Sequence, residues 1–338
     1  MRKKLTSFHA LLGLIASFFG SSAKAQCPRV DLKETEADCP WAEVARAIEG
    51  VQDPEKIERT LRDSLPGFLP QLDLDARLPG LLSLWGLSRN IDESRLESGT
   101  RTVPANLLKT LNRHLKVPYD DSFTIGHAGL NHTYGYLFST VETPYGYKRA
   151  RYVRHEIEAG FGLKEGELGG SPKGGSLLLN LTLFAGKVAF RDSEAGMKAM
   201  NDLSSRVARY APSDILKFNF NALKPERLIE RIETTDQTIE MRTDLIPFNH
   251  PNPYGKNSSL LIHSILVEDK HPSKTRAAPA TPVLITVFPV ESGMRASLFD
   301  PTTMGDPVPL KLRFNAALAK PIPQDQMKGK RYIDHAKK

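Results

Sequence analysis

The chain of 338 residues has 46 Lys and Arg against 39 Asp and Glu, a formal charge of +7, and only 2 Cys. A basic balance commonly points to nucleic acid or to an anionic membrane, but here the excess lies at the two ends. Residues 1–25 hold four basic residues and no acid, and residues 318–338 hold six basic residues and two acids, which leaves residues 26–317 at −1. This distribution argues against nucleic acid as a partner.

The first residues have the three parts of a secretory signal peptide. Residues 2–4 are basic, Ala10–Phe19 is an apolar run, and residues 23–25, Ala-Lys-Ala, place small side chains where a signal peptidase reads. We expect cleavage after Ala25 and export to the periplasm or the medium, with no transmembrane segment left. The alternative is an uncleaved anchor, although the run of ten residues is short for a membrane span.

The two cysteines, Cys27 and Cys39, are predicted to form one disulfide, because exported chains fold where thiols are oxidised. The bond would close a loop of about a dozen residues and would stabilise the fold by roughly 3 kcal/mol through chain entropy. Its place near the start of the mature chain favours a bond that holds down a loose end over a catalytic thiol.

Residues 26–117 are predicted as a helical N-terminal region. Pro54, with an acid directly after it, marks a helix start, and Ile57, Leu61 and Leu65 follow at helical spacing. Pro104 is predicted to open another helix. We expect these helices to form a layer on the sheet that the rest of the chain supplies.

Residues 118–317 are predicted as a β-rich domain, because Val, Ile, Thr and aromatic residues recur there in short runs between turn residues. One helix is predicted to interrupt it, capped by Ser193 and ended by Pro212. Regular β–α alternation is missing, so we expect an α+β fold with a mostly antiparallel sheet or a distorted β-barrel. Residues 318–338 are predicted as a flexible basic tail. Strands are predicted near 132–141, 148–158, 176–190, 227–234, 237–246, 259–269, 281–290 and 309–315.

Residues 124–156 are the richest stretch in groups that can do chemistry, with three histidines, five tyrosines and four basic residues. Residues 144–145, Pro-Tyr, are predicted to form a tight turn between the strands at 132–141 and 148–158. Alternate residues of the two strands would then share one sheet face. A one-residue change in loop length would exchange the partners, so the register stays open. With the turn centred on 144–145, that face carries His132, Tyr134, Tyr136, Phe138, Arg149, Arg151 and His155.

These side chains suit catalysis on, or binding of, an anionic or aromatic ligand. A histidine can move protons near neutral pH, and tyrosines offer hydroxyl groups and flat rings. Arginines hold a carboxylate or a phosphate through paired hydrogen bonds. We therefore predict three catalytic residues, which are His132, His155 and Tyr134. We predict four substrate-binding residues, which are Arg149, Arg151, Tyr136 and His127.

The same histidines raise the question of a metal. His127, His132 and His155 could supply three nitrogen ligands, but their spacing matches no ligand pattern known to us. The prediction therefore assigns no metal ligand and leaves the cofactor unknown.

Two classes of function fit these observations. The first is an exported hydrolase or transferase that acts on an anionic envelope or extracellular substrate through this face. The alternative is a non-catalytic periplasmic or secreted binding protein that uses the same face or a barrel interior for an anionic or aromatic small molecule or an envelope polymer. A third interpretation is an ordinary hairpin with a charged rim. The sequence leaves open whether the protein is an enzyme, and it does not define the oligomeric state.

Overall fold

The structure is a computed structural model of the chain, and it is an α+β fold. The residues that it describes are 39–85, 87–89, 103–117, 125–127, 133–134, 137–139, 142–143, 146–147, 149–168, 176–248, 258–270, 281–291, 295, 298–299, 305–309 and 328–335. Residues 1–38 therefore lie outside the described part, and with them the predicted signal peptide and Cys27.

The N-terminal region contains the helices α1 (Cys39–Ala47), α2 (Pro54–Ser64), α3 (Phe68–Asp75) and α4 (Ala105–Leu115), with a 3₁₀ turn at Leu82–Leu84. Pro54 is the first residue of α2, as predicted. Asp53 caps the helix by accepting the amide N–H of Glu55 at 3.0 Å. The predicted spacing also holds, because Ile57 and Leu61 are buried.

The second half contains five helices among its described residues, which are α5 (Ala150–Val153), α6 (Glu156–Phe161), α7 (Leu177–Ala189), α8 (Glu194–Val207) and α9 (Ser213–Lys217). The prediction of one inserted helix is therefore wrong. Across the described residues, no helix combines the length and the apolarity that crossing a membrane requires.

Helix α7 replaces the strand predicted at residues 176–190. Almost every side chain of α7 is buried, so the segment has no polar face and its pattern has no period that separates a helix from a buried strand. Its length of 13 residues is typical of a helix. The Ser176 hydroxyl caps it by accepting the amide N–H of Leu179 at 2.8 Å.

Helix α8 is the helix that the sequence predicted. The Ser193 hydroxyl accepts the amide N–H of Gly196 at 3.1 Å, and Met200, Leu203 and Val207 are buried. The buried stripe of α8 ends at Val207, because Tyr210 lies beyond the helix and is exposed.

Short strands pair in two places before the main sheet. β1 (Leu87–Arg89) pairs with β2 (Ile125–His127), and β3 (Glu142–Thr143) pairs with β4 (Gly146–Tyr147), both antiparallel. These ladders contain three and two residue pairs respectively.

The main sheet is antiparallel and is built from β5 (Glu226–Glu233), β6 (Gln237–Phe248), β7 (Ser258–Asp269) and β8 (Thr281–Glu291). These four strands confirm the predictions at 227–234, 237–246, 259–269 and 281–290. β8 lies at one edge and has no second strand partner among the described residues, so the described sheet does not close into a barrel.

Two more strands extend the β5 edge, namely β9 (Gly305–Pro309) and β10 (Lys328–His335). The strand order is then β8-β7-β6-β5-β10-β9, and β10 is antiparallel to β5. Residues 328–335 were predicted within a flexible tail, but their backbone adds to the hydrogen-bonding edge that β5 offers. Most of the residues predicted as a strand at 309–315 lie outside the described part.

The core is shared between the N-terminal helices, α7, α8 and one face of the sheet. Ile246, Leu260 and Leu284 from that face belong to the same buried cluster as residues of α1 to α4. Trp85 lies at the boundary, where it forms a single parallel bridge with Leu284 of β8. Its indole N–H donates to the Thr182 hydroxyl of α7 at 2.9 Å, which fixes the 3₁₀ turn against α7.

Candidate functional site

The predicted hairpin forms only at its turn. Glu142 lies opposite Tyr147 and Thr143 lies opposite Gly146, which is the predicted register about residues 144–145. The ladder ends there, because residues 150–153 and 156–161 are helical. On the other side of the turn, residues 133, 134 and 137 are helical as well. The strands predicted at 132–141 and 148–158, and the single face that they were expected to form, are therefore wrong.

A helical signal was present in this stretch. Val153 and Ile157 are four residues apart and both are buried, which is the spacing of one helix face. The adjacent Tyr152 is buried as well, which breaks the alternation that a half-buried strand requires. Basic residues between these positions masked the helical spacing.

Three of the predicted site residues cannot be placed as side chains. His132 and Tyr136 lie outside the described residues, and His127 is described only as backbone in β2. The roles predicted for these three residues stay predictions.

The two predicted substrate-binding arginines are buried and bound to the protein itself. Arg149 is 2% exposed, and its Nη1 donates to the Ser139 carbonyl at 2.5 Å. Arg151 is paired with the Glu156 carboxylate and donates to the Ser258 hydroxyl at the start of β7. These contacts tie the α5 segment to its surroundings, and they engage the donors that an anionic ligand would need.

Tyr134 is also enclosed, at 0% exposed. Its hydroxyl donates to Asp75 Oδ2 at 2.6 Å and accepts from the Gln71 side-chain amide at 3.4 Å. Its ring packs edge-on against Phe68, with centroids 5.6 Å apart. The phenol therefore belongs to a closed polar cluster, whereas the prediction placed it on an open sheet face.

Asp75, the last residue of α3, was not recognised from the sequence. Burial raises its pKa from 3.8 to about 7, although hydrogen bonds from Ser176 and Tyr134 act in the opposite direction. Burial, together with the charge of Asp75, also raises the pKa of Tyr134. Because these groups are shielded from water, the cluster is a poor place for a substrate to enter.

His155 is the predicted catalytic residue that the structure leaves partly open. It occupies the N-cap position of α6 with φ at 56°, a left-handed conformation that is uncommon for a residue other than glycine. Its Nδ1 lies 3.2 Å from Glu158 Oε1, and its Nε2 lies 3.6 Å from Glu165 Oε1. The imidazole side chain is 14% exposed.

Glu158 binds the His155 imidazole from its buried side. Its side chain is 2% exposed, and its Oε1 also accepts the amide N–H of Leu168 at 3.1 Å. Burial lowers the pKa of His155, but the hydrogen bond to Glu158 and the charges of Glu158 and Glu165 outweigh it, so the pKa is raised. A buried carboxylate on Nδ1 fixes the ring and leaves Nε2 on the side of the exposed Glu165.

The loop beside Nε2 is bounded by two glycines of positive φ, Gly162 at 69° and Gly166 at 82°. Glu165 lies between them with its side chain 82% exposed. Lys164 of the same loop pairs with Asp214 of α9 at 2.9 Å. Two carboxylates therefore flank His155, those of Glu158 and Glu165.

A second charged cluster lies between the sheet and the turn after α7. Arg227 of β5 binds Asp244 of β6 at 2.7 Å and Asp192 at 2.8 Å, and Arg242 binds the other oxygen of Asp192 at 2.8 Å. The Arg227 guanidinium also donates to the Ala189 carbonyl at the end of α7. Burial lowers the pKa of Arg227, but the two carboxylates that it binds raise the pKa by more. The pKa of Arg227 therefore lies above its usual value. These contacts stabilise a junction and leave no donor directed at solvent.

The described residues contain no group of three or more His, Cys, Asp or Glu side chains arranged to hold a metal ion. Comparison with protein-family models, with curated proteins and with solved structures finds no match to this chain. The α+β architecture and the His155–Glu158 pair are therefore the observations from which a function can be inferred.

Proposed function

We propose that the protein is an exported enzyme, a hydrolase or a transferase, in which His155 transfers the proton and Glu158 positions it. The observation that carries the proposal is the contact between His155 Nδ1 and the buried Glu158 carboxylate, with Nε2 on the side of the exposed Glu165. This is the arrangement by which a carboxylate orients a histidine base in acyl-transfer enzymes.

The contacts of His155 favour water or a substrate hydroxyl as the group that loses the proton. Among the described residues, His155 is bonded to Glu158 and approached by Glu165, and no serine or cysteine side chain is hydrogen-bonded to it. A base of this kind activates a nucleophile that arrives from solution, and the raised pKa of His155 suits proton transfer close to neutral pH.

The expected anionic substrate has less support than the proton-transfer step. Arg149 and Arg151 already bind Ser139, Glu156 and Ser258, so a substrate anion would have to compete with these internal partners. We therefore propose an envelope or extracellular substrate without assigning its charge to these two arginines. Export rests on the leader pattern of residues 1–25.

The alternative proposal is a non-catalytic binding protein. The burial of Tyr134, Arg149 and Arg151 removes the open face that this alternative was expected to use, so its ligand would have to bind at the partly exposed His155. The two proposals differ in what His155 does, and a single substitution distinguishes them.

The test is His155→Gln assayed against a panel of envelope glycans, phosphate esters and peptides. Loss of a general base should lower turnover by about 10²–10⁴-fold while binding stays within a few fold. Glu158→Gln should lower kcat and move the acid limb of the pH profile to lower pH, because the imidazolium loses its anionic partner. For both variants we would measure kcat, KM and the thermal melting temperature.

His114→Gln is the matched control. His114 also lies beside two carboxylates, with Nδ1 2.9 Å from Asp73 and Nε2 3.5 Å from Glu58, but it lies on the α2–α4 surface. Its loss should leave turnover unchanged. If His155→Gln only weakens binding, the binding-protein proposal replaces the enzyme. If no panel member is turned over or shifts the wild-type melting curve, both proposals lose their support.

A further inference from the structure

The Asp75 carboxyl joins three separate parts of the fold. Asp75 ends α3, Tyr134 donates to its Oδ2 at 2.6 Å from a distant segment, and the Ser176 hydroxyl, which caps α7, lies close enough to the carboxyl to lower its pKa. The Asp75 side chain is completely buried, and its Oδ1 has no hydrogen-bond partner among the described residues. The state of one carboxyl therefore acts on all three segments.

No cation offsets a charge at this position among the described residues. The hydrogen-bond partners of Asp75 are hydroxyl groups, and the side chain that binds Tyr134 in turn is the neutral amide of Gln71. Helices α2 and α4 pack on α3, but four of their charged side chains bind each other or the exposed Asp73. Those side chains are Glu58, Arg62, Arg113 and His114.

We propose that this junction is a pH-sensitive latch, in which protonated Asp75 holds α3, Tyr134 and the start of α7 together and loss of the proton loosens them. A carboxylate enclosed without a cation or a full set of donors is costly, whereas the neutral acid can stay in the core. The neutral acid can also use its own O–H as a donor, which the carboxylate cannot do.

The direction of the pH effect follows from the two states. In the closed state burial raises the pKa of Asp75 to about 7, whereas water restores a value near 3.8 when the junction opens. The closed state therefore binds more protons between these values, and opening becomes easier as pH rises, by up to about tenfold per pH unit. Above about pH 7 the effect levels off, because both states have then lost the proton.

The latch is independent of the proposed catalytic pair, because the contacts of Asp75 described above do not involve His155. An exported protein would experience the pH of its surroundings, so acidification would tighten this junction. The latch itself requires only the geometry around Asp75.

Both tryptophans of the chain report on the junction. Trp41 packs on Phe68 with ring centroids 5.4 Å apart, and Phe68 packs on Tyr134. Trp85 is hydrogen-bonded to Thr182 of α7. Tryptophan emission, together with hydrogen exchange of peptides from α3 and from the start of α7, therefore follows opening without added probes.

The experiment measures tryptophan emission and hydrogen exchange between pH 4.5 and pH 8.5, in the protein without residues 1–25. In the wild type, protection at the junction, corrected for intrinsic exchange, should fall as pH rises to about 7 and then become constant. Asp75→Asn keeps the size of the side chain but replaces the titrating carboxyl with a neutral amide. In this variant the protection of the junction against hydrogen exchange should not depend on pH in this range. Asp73→Asn removes an exposed carboxylate from the same helix and should behave like the wild type.

A direct titration keeps the proposal testable if Asp75→Asn does not fold. The carboxyl carbon of Asp75 in the wild type should titrate near neutral pH when followed by NMR. A pKa below about 5 would overturn the latch. Equal pH dependence in the wild type and in Asp75→Asn would also overturn it.

Discussion

At the scale of single residues, the buried charges are held by partners that leave them little freedom. Arg151 lies between the Glu156 carboxylate, the Ser258 hydroxyl and the ring of Phe248, whose centroid is 6.0 Å from the guanidinium carbon. Glu156 is itself only 4% exposed. Removing one member of such a pair leaves the other charge in the core, so Arg151 stabilises the fold, whatever else it binds.

Arg151→Ala should therefore lower the free energy of unfolding by about 3–5 kcal/mol, which is the usual cost of leaving a buried charge without its partner. Urea denaturation measures the change. Arg62→Ala is the control, because Arg62 pairs with Glu58 across one helix turn at an exposed position and should cost less than about 0.5 kcal/mol. A loss near that of the control would show that Glu156 finds another partner or water.

Single residues also show the limits of prediction from sequence. Ser193 was identifiable as a cap because its hydroxyl satisfies an amide three residues away, a local contact. Asp75 was not identifiable as a buried residue, because Asp73 and Asp75 have the same side chain and similar neighbours in sequence. What distinguishes Asp75 is its contact with the distant Tyr134 and Ser176. His155 was selected for a place on a sheet face, and that reason was wrong, since its partner Glu158 lies on a helix and not on a strand.

At the scale of elements, the period of the apolar residues along the chain decided which secondary-structure predictions were correct. The strands β5 to β8 alternate or carry β-branched runs between clear turns, and each was predicted within a few residues. The segment of α7 is apolar on all sides, and α5 and α6 are too short to show several helical turns. For α7, tertiary packing decides between a helix and a buried strand. The helical spacing of Val153 and Ile157 covers only one turn and spans the break at His155, so a single-sequence pattern could not define α5 and α6.

The contact between α6 and β6 gives a prediction at this scale. A Cβ on Gly160 would lie 2.2 Å from Phe248 Cδ2, so the helix approaches the strand as closely as it does because Gly160 has no side chain. Gly160→Ala, which in an exposed helix stabilises by up to about 1 kcal/mol, should here destabilise by about 1–3 kcal/mol through overpacking. Thermal melting measures the loss.

Phe248→Leu in the Gly160→Ala background provides the control for that contact. The smaller side chain should restore part of the lost stability, because it removes the clashing ring atoms. Additive losses in the double variant would mean that Gly160 is required for another reason.

At the scale of the whole molecule, the titrating groups favour an acidic optimum of stability. Asp75 and His155 both have raised pKa values in the folded state, so their contributions are complete at low pH and are lost as pH rises toward and through neutrality. Asp192 and Glu240 have lowered pKa values, because their arginine partners outweigh burial. Their contributions are present above about pH 4–5 and are lost as pH falls.

The free energy of unfolding should therefore reach its maximum between about pH 4.5 and 6 and should fall toward pH 8. Because Asp75 is fully buried and its pKa rises from 3.8 to about 7, it contributes on the order of a few kcal/mol to that fall. Urea unfolding at fixed ionic strength from pH 4 to pH 9 measures the curve. Asp75→Asn should flatten its alkaline side, and His155→Gln should flatten it less. A wild-type maximum above pH 7 would contradict the assignment of a neutral Asp75 to the core.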